Sequence, residues 1–199
     1  MKNLIALFTL FLLVSCQSSK ELNQLSTQVQ NQIQQCNSCH SQGEKFGAPS
    51  LNGLEFKYMN AQIDKYRKGL RGGENASKDA ISMREAIVNL NDKDLKEINA
   101  WFASQESKKA PSDTVHQGNG EALYKQHCYG CHQGTMGKFF TGSPSILELE
   151  SWYIVKQCGD FQAGRRGASP EDEKGYKMAQ RIKNLSPYEI QEIADFLAN

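Results

Sequence analysis

The sequence predicts an all-helical protein built from two copies of one small helical unit. A constant shift of 95 positions aligns much of the first half with the second half, which indicates an internal repeat. Apolar residues recur at helical spacing near the end of each half, and no alternating β pattern flanks the cysteine pairs described below. The 199 residues, 39% of them apolar, suffice for two small domains and exclude a disordered or collagen-like chain.

The charges of the chain are balanced. Lys and Arg total 23 against 22 Asp and Glu, which gives a formal net charge of +1. A near-neutral chain predicts no nucleic-acid partner and no charged surface for a membrane.

The N-terminus has the features of an export signal. An apolar run at residues 4–14 follows Lys2 and is too short to span a bilayer as a helix. The run ends just before Cys16 and resembles the lipobox of bacterial lipoproteins, which implies a signal peptide at 1–15 and lipid on Cys16. We therefore expect a membrane-anchored periplasmic protein, with a cleaved signal without lipid or an uncut leader as alternatives. Residues 16–30 are rich in Gln, Asn and Ser and are interpreted as a tether.

Four of the six cysteines form two identical C-x-x-C-H motifs, the attachment signature of c-type haem. Two thiols three positions apart at a helix end face the same way and can each add to one vinyl group of a porphyrin. The following histidine then lies under the iron as its proximal ligand. The motif residues are Cys36, Cys39 and His40 in the first half, and Cys128, Cys131 and His132 in the second half.

Other uses of paired cysteines explain these motifs less well. Zinc-ribbon pairs lie about 15–20 residues apart, whereas the two motifs are separated by a shift of 92 positions. A thioredoxin-like pair needs a βαβ context. Simple disulfides would leave both histidines unexplained. We therefore predict two covalent haem c groups, each with its iron.

The repeat also identifies a candidate for the second axial ligand of each iron. The shift of 95 places Met83 on Met178, 43 and 46 residues after the two histidines. A chain of that length easily reaches the opposite face of a porphyrin. A methionine is more often a core residue, and Met59, which pairs with Ile154 in the repeat, is interpreted as one. The recurrence of Met83 and Met178 in register favours the ligand role.

Each half ends in a predicted closing helix. Asn91 with Asp94, and Ser186-Pro187 with Glu189, have the pattern of helix starts, with a capping side chain and an acid three residues later. A shorter helix is predicted from Gly120 to the second motif.

Each half resembles a class I cytochrome c domain, and the tandem resembles the dihaem cytochromes of the c-four type. The resemblance implies domains at 31–104 and 117–199, joined by a polar, proline-containing linker at 105–116. It further implies that the carbonyl groups of Pro49 and Pro144 accept a hydrogen bond from the proximal histidines. Gly120 and Tyr124 match the family's leading helix, which crosses the closing helix near Phe196.

The first half departs from this pattern, because Gln28 and Gln32 replace Gly120 and Tyr124. We expect its leading helix to pack through Val29 and Ile33 instead.

Three further features have both a functional and an ordinary interpretation. Arg71 and Arg166 either pair with haem propionates, since a guanidinium suits a carboxylate, or are solvated loop residues. Cys158 pairs with Ile63 in the repeat and is interpreted as a core position, with an intermolecular disulfide as the alternative. The acidic run at 171–173 is expected to be a solvated loop.

Two irons with both axial positions filled by protein predict an electron carrier, because no open site is left for a substrate. Its partners would be redox proteins such as a quinol-oxidising complex, a terminal oxidase or a reductase, and the N-terminal lipid would hold it at the membrane. The alternatives are a dihaem oxidoreductase, either a peroxidase or a dehydrogenase of a small sulfur compound, and a haem subunit of a larger redox complex.

Overall fold

The computed structural model describes residues 21–107, 118–133, 140–147 and 149–198. Within these ranges every regular element is a helix and there is no strand, which confirms the predicted all-helical class. None of these helices combines the length and the apolar character that crossing a bilayer requires. The predicted signal peptide, Cys16 and most of the predicted linker lie outside the described residues.

The first half contains four α-helices. They are α1 (Thr27–His40), α2 (Phe56–Arg67), α3 (Lys78–Ile87) and α4 (Asp92–Ser104), with short 3-10 turns at Leu22–Gln24 and Gly43–Phe46. As predicted, the Asn91 side chain begins α4 by accepting a hydrogen bond from the backbone N–H of Asp94 at 2.8 Å.

The second half repeats this order. Among its described residues, the helices with both ends defined are α5 (Gly120–His127), α6 (Tyr129–His132), α7 (Ser151–Gln162), α8 (Glu173–Ile182) and α9 (Pro187–Ala198). The predicted start of α9 is a reciprocal capping box. The Glu189 carboxylate accepts from the backbone N–H of Ser186 at 2.8 Å, and the Ser186 hydroxyl accepts from that of Glu189 at 3.2 Å.

The repeat of 95 residues holds for the helix boundaries and backbone angles as well as for the sequence. It carries both ends of α2 onto those of α7, and both ends of α3 onto those of α8. Gly72 and Gly167 have φ angles of 70° and 69°. A Cβ at Gly72 would lie 2.4 Å from the carbonyl oxygen of Ala80, and one at Gly167 would lie 2.4 Å from that of Gly175, its equivalent. The repeat therefore preserves a turn that only glycine fits.

Helix α1 crosses the boundary predicted between the tether and the first unit at residues 30 and 31. Helix α1 begins at Thr27, where Ser26 caps it, and Leu25 and Val29 are buried in the core. The polar composition of residues 16–30 concealed two apolar residues that lie on the buried side.

The leading and closing helices cross differently in the two halves. In the first half Val29 and Ile33 of α1 are buried with Phe102 of α4, as expected. In the second half Gly120 lies against α9, and the rings of Tyr124 and Phe196 are 5.7 Å apart. In both halves the first cysteine of the C-x-x-C-H motif, Cys36 or Cys128, packs at the core.

The two halves also contact each other through charged side chains. Lys65 of α2 pairs with Asp172 across the junction at 2.7 Å, and Lys156 of α7 pairs with Asp79 at 2.9 Å. The expectation that residues 171–173 form a solvated loop is therefore wrong for Asp172. Asp172 is buried. Its carboxylate accepts a hydrogen bond from the backbone N–H of Gly175 at the start of α8 and forms an ion pair with Lys65.

Candidate functional site

The first C-x-x-C-H motif lies at the end of α1, whereas the second begins at Cys128, the residue after α5, and continues through α6. In each half the first cysteine faces inward, with Cys36 half-buried and Cys128 buried, whereas Cys39 and Cys131 are exposed. Burial raises the pKa of the Cys36 and Cys128 thiols to about 11. None of the five described cysteines is joined to another by a disulfide. The two motifs therefore share one arrangement, with the first cysteine towards the core and the second exposed.

The two motif histidines are held in the same orientation by backbone carbonyl groups. Nδ1 of His40 lies 2.6 Å from the carbonyl oxygen of Pro49, and Nδ1 of His132 lies 2.9 Å from that of Pro144. A carbonyl oxygen only accepts, so the ring proton is on Nδ1 and the lone pair of Nε2 is available to a metal. Burial lowers the pKa of both rings. Both imidazoles are therefore in the neutral form that ligates iron.

The two candidate distal methionines occupy equivalent positions on α3 and α8. Both are half-buried. Met83 packs against the cluster of Ile63, Tyr66, Ile87 and Leu95, and Met178 packs against the core cluster that contains Cys128. Met59, in contrast, is only 4% exposed and is a core residue, as predicted. Burial raises the pKa of the Cys158 thiol to about 12, and this residue also packs against the core.

Arg71 and Arg166 form one cluster with two glutamines at the junction between the halves. The Gln62 side-chain oxygen accepts from both guanidinium groups at 2.9 Å, and the Gln157 oxygen accepts from Arg71 at 3.1 Å and from Arg166 at 2.5 Å. Arg71 also donates to the Tyr153 hydroxyl at 2.7 Å. We call these residues the arginine cluster. The solvated-loop interpretation is thus wrong for Arg71, which is 7% exposed.

The arginine cluster obeys the repeat. Arg71 lies 4.7 Å from the ring centre of Tyr66, and Arg166 lies 4.5 Å from that of Phe161, the equivalent residue. Each arginine therefore stacks on an aromatic ring of its own half and donates hydrogen bonds to the glutamines of both halves. This arrangement gives the cluster an approximate two-fold symmetry. Sequence reasoning missed Gln62 and Gln157. Two glutamines at equivalent positions of buried helices were a usable signal.

The hydrogen-bond partners found for the arginine cluster are neutral side chains, so its two positive charges are not balanced there. The positive charges also affect Tyr58. Burial opposes ionisation of its hydroxyl, but Arg166 and Arg71 hold the pKa of that group below its usual range. Nε of Arg166 is buried without a hydrogen-bond partner in the described part of the chain. Buried cations need compensating anions. The site therefore fits a group that brings carboxylates, as haem does with its propionates.

The second half matches a known family. The family model for cytochrome c covers residues 118–199. These residues belong to the cytochrome c family. The leading helix, the C-x-x-C-H motif and the closing helix of the second half all fall within the matched cytochrome c region.

The chain as a whole is similar to proteins named cytochrome c4. It is 27% identical to the one from Pseudomonas aeruginosa over 161 residues, which span 75% of this chain and 77% of the relative. It is 26% identical to the one from Azotobacter vinelandii over 176 residues, which span 81% of this chain and 82% of the relative. The resemblance to tandem dihaem class I cytochromes is therefore confirmed.

Two solved structures share the fold. The cytochrome c4 of Acidithiobacillus ferrooxidans superposes with a TM-score of 0.63 at 21% identity, covering 83% of this chain and 98% of that one. A thiosulfate dehydrogenase from Marichromatium purpuratum superposes with a TM-score of 0.59 at 23% identity, covering 82% of this chain and 36% of that one. The match to the cytochrome c family model and the similarity to cytochromes c4 give the cofactor of this chain as covalently bound haem c with its iron, and two haems fit the two motifs.

Proposed function

We propose that this protein is a periplasmic carrier that passes single electrons between redox proteins through two haems with histidine and methionine ligands. His40 with Met83, and His132 with Met178, are the proposed ligand pairs. The repeat carries this proposal, because the same shift that matches the helices also matches the two methionines and the two prolines that orient the histidines.

Each group around the two motifs has a distinct part in this function. The paired cysteines hold the cofactor by thioether bonds, so the carrier retains it in either oxidation state. The Pro49 and Pro144 carbonyls fix the imidazoles and increase their basicity. A methionine sulfur opposite each histidine favours the reduced state more than a second nitrogen ligand would. Bound haem c supplies one-electron exchange at its iron.

The arginine cluster is proposed to bind haem propionates. Arg71 and Arg166 are positive, largely withdrawn from solvent and surrounded by neutral acceptors. A propionate would supply the missing negative charge and form charge-assisted hydrogen bonds with a guanidinium group. Because the cluster joins the two halves, it would bring both cofactors to the same junction.

The second candidate is a haem oxidoreductase that acts on a small sulfur compound. The fold shared with a thiosulfate dehydrogenase favours it. Such an enzyme needs an iron with an open or displaceable distal position. The equivalent placement of Met83 and Met178 instead favours two filled sites. Binding of carbon monoxide or cyanide to one haem of the unmodified protein would favour the enzyme.

The N-terminal anchor and the partners also belong to this proposal. Lipid on Cys16 would hold the carrier at a membrane, and a quinol-oxidising complex, a terminal oxidase or a reductase would exchange electrons with it. Mass spectrometry of the mature N-terminus tests the anchor, since Cys16→Ser would abolish both the lipid and the membrane fractionation. A stable co-purifying protein would instead indicate a subunit of a larger complex.

The ligand assignment is tested by replacing each methionine separately. We expect Met83→Ala and Met178→Ala each to open one iron to carbon monoxide or cyanide and to lower the midpoint potential of that haem, because a sulfur ligand is lost. Redox-titrated absorbance spectra measure both effects. Met59→Leu is the matched control, since it alters a buried methionine of similar volume and should leave both haems six-coordinate. An unchanged spectrum in either alanine variant rejects that ligand.

A further inference from the structure

A carboxylate of the second half reaches the loop that holds the motif histidine of the first half. Glu150 immediately precedes α7, and its Oε1 accepts a hydrogen bond from the backbone N–H of Ser50 at 3.0 Å. The two residues are 100 positions apart in sequence. This contact therefore exists only because the two halves are packed together.

The Ser50 N–H belongs to the same peptide group as the Pro49 carbonyl. That carbonyl accepts the Nδ1–H of His40 at 2.6 Å. The atoms therefore form one continuous chain, from the Glu150 carboxylate through a single amide to the imidazole. No other side chain lies between the carboxylate and this amide in the chain of hydrogen bonds.

Hydrogen bonds arranged in series polarise one another. A carboxylate that accepts from the N–H end of an amide increases the negative charge on its carbonyl oxygen. The other carboxylate oxygen, Oε2 of Glu150, is buried and has no hydrogen-bond partner among the residues that the structure describes. The polarising effect of Glu150 is therefore directed at Ser50 and is little screened by solvent.

The two histidine bonds differ in the direction that this polarisation predicts. The bond between His40 and Pro49 is 2.6 Å long, against 2.9 Å for the bond between His132 and Pro144. A shorter bond is what a more negative carbonyl oxygen produces.

We propose that Glu150 is a positioning residue that lowers the midpoint potential of the first haem through the Pro49–Ser50 peptide. A more negative Pro49 carbonyl draws the Nδ1 proton of His40 and makes the imidazole a stronger donor, which stabilises ferric iron. The proposal rests on His40 being an iron ligand, as proposed above. It implies that the packing of the two halves sets the potential of one of them.

The test compares two variants of Glu150 in the haem-loaded protein. Glu150→Ala removes both the charge and the acceptor, and Glu150→Gln removes the charge but retains an oxygen that accepts from Ser50. We expect the first midpoint to rise most in Glu150→Ala and by less in Glu150→Gln. The expected change for Glu150→Ala is about three- to tenfold in the equilibrium constant, where tenfold corresponds to 59 mV for a one-electron couple. The Met83→Ala spectrum identifies which midpoint belongs to the first haem.

A second readout follows the histidine itself. In the reduced protein, the NMR signal of the His40 Nδ1 proton should move upfield in the same order as the potentials, while that of His132 stays in place. Asp172→Asn is the matched control, because it also removes a buried negative charge from the junction but touches neither Ser50 nor Pro49. It should leave both the first midpoint and the His40 signal unchanged.

Several outcomes would overturn the proposal. If the first midpoint potential shifted equally in Glu150→Ala and Glu150→Gln, or shifted by the same amount in Asp172→Asn, the effect would come only from the electrostatic field of a nearby charge. A stationary His40 proton would exclude the chain of hydrogen bonds. These failures are distinct from failure of the proposed function, because in each case the unmodified protein would still titrate as two haems with histidine and methionine ligands.

Discussion

The leading helices of the two halves, α1 and α5, contact their closing helices through different kinds of residue. In the second half α5 and α9 meet backbone to backbone at Gly120, where an added Cβ would lie 2.2 Å from the carbonyl oxygen of Glu192. In the first half Gln28 stands at the equivalent position and donates to the Asp94 carboxylate at 2.6 Å. The motif histidines are nevertheless bonded alike in both halves. The geometry of the histidine therefore tolerates two kinds of helix crossing.

The junction between the halves shows a second difference. The repeat places Lys65 where the second half has Asp160, so the charge is reversed at equivalent positions of α2 and α7. Lys65 pairs with Asp172, and Asp160 is surrounded by Lys156, Arg165 and Ser77. Lys65 thus forms its ion pair across the junction, whereas the cationic partners of Asp160 lie in its own half.

The largest effect is expected at the glycine crossing. Gly120→Ala should destabilise the second half by about 3 kcal/mol, because its Cβ would meet the backbone of Glu192 and the side chain of Phe196, which cannot both move aside. Chemical denaturation followed by circular dichroism and haem absorbance measures the loss. If Gly120→Ala cost no more than Gln28→Ala in the first half, the two crossings would not differ as described.

A smaller loss of stability is expected when the charge of Asp160 at the junction is removed. Burial opposes ionisation of Asp160, but hydrogen bonds from Arg165 and Lys156 outweigh it and lower the pKa of this carboxyl. The unfolded-state pKa is about 4, so the carboxylate stabilises the fold above that pH, and its contribution is lost as pH falls through the lower folded-state pKa. Asp160→Asn should therefore cost about 1–2 kcal/mol at pH 7.

The pH dependence of the stability loss in Asp160→Asn serves as a control. The difference in unfolding free energy between the unmodified protein and Asp160→Asn should shrink below about pH 4. Glu121→Gln, which removes an exposed ion pair with Lys125 within α5, should cost less than about 0.5 kcal/mol. A difference for Asp160→Asn that persists unchanged into acid would argue against an electrostatic origin.

The hydroxyl group of Tyr124 in the second half should contribute less. The Tyr124 hydroxyl donates to the side-chain oxygen of Gln133, next to His132, at 2.6 Å. Tyr124→Phe retains the ring contact with Phe196 and should cost about 1 kcal/mol. Thermal unfolding measures this loss, and Tyr188→Phe, at an exposed tyrosine of α9, is the control.

The smallest effect is expected at the first crossing. Gln28→Ala removes the hydrogen bond to Asp94, but Val29 and Ile33 still bury their side chains against the core. We expect a loss of about 0.5–1 kcal/mol, measured by the same denaturation experiment. Ile33→Ala is the contrasting variant, with an expected loss of about 2–4 kcal/mol. A Gln28→Ala variant as unstable as Ile33→Ala would show that the polar contact holds the crossing.

Local patterns in the sequence were sufficient for most elements of both halves. The cap at Asn91, the capping box at Ser186 and the start of α5 at Gly120 all lie where the sequence predicts them, because each depends on residues a few positions apart. The start of α1 at Thr27 was not predicted, since a helix rich in glutamine has only a weak apolar stripe. Asp172 was misjudged because its partner, Lys65, is distant in the chain.

The sequence alone determined the two C-x-x-C-H motifs, the register of the repeat and the candidate ligands, because covalent attachment and helical periodicity depend on spacing along the chain. Only the tertiary structure decided that Arg71 and Arg166 share two glutamines, and that Glu150 of one half bonds the histidine loop of the other. Those contacts depend on which faces of two folded units meet. That choice follows from the combined shape and charge of both surfaces, which no local pattern in the sequence encodes.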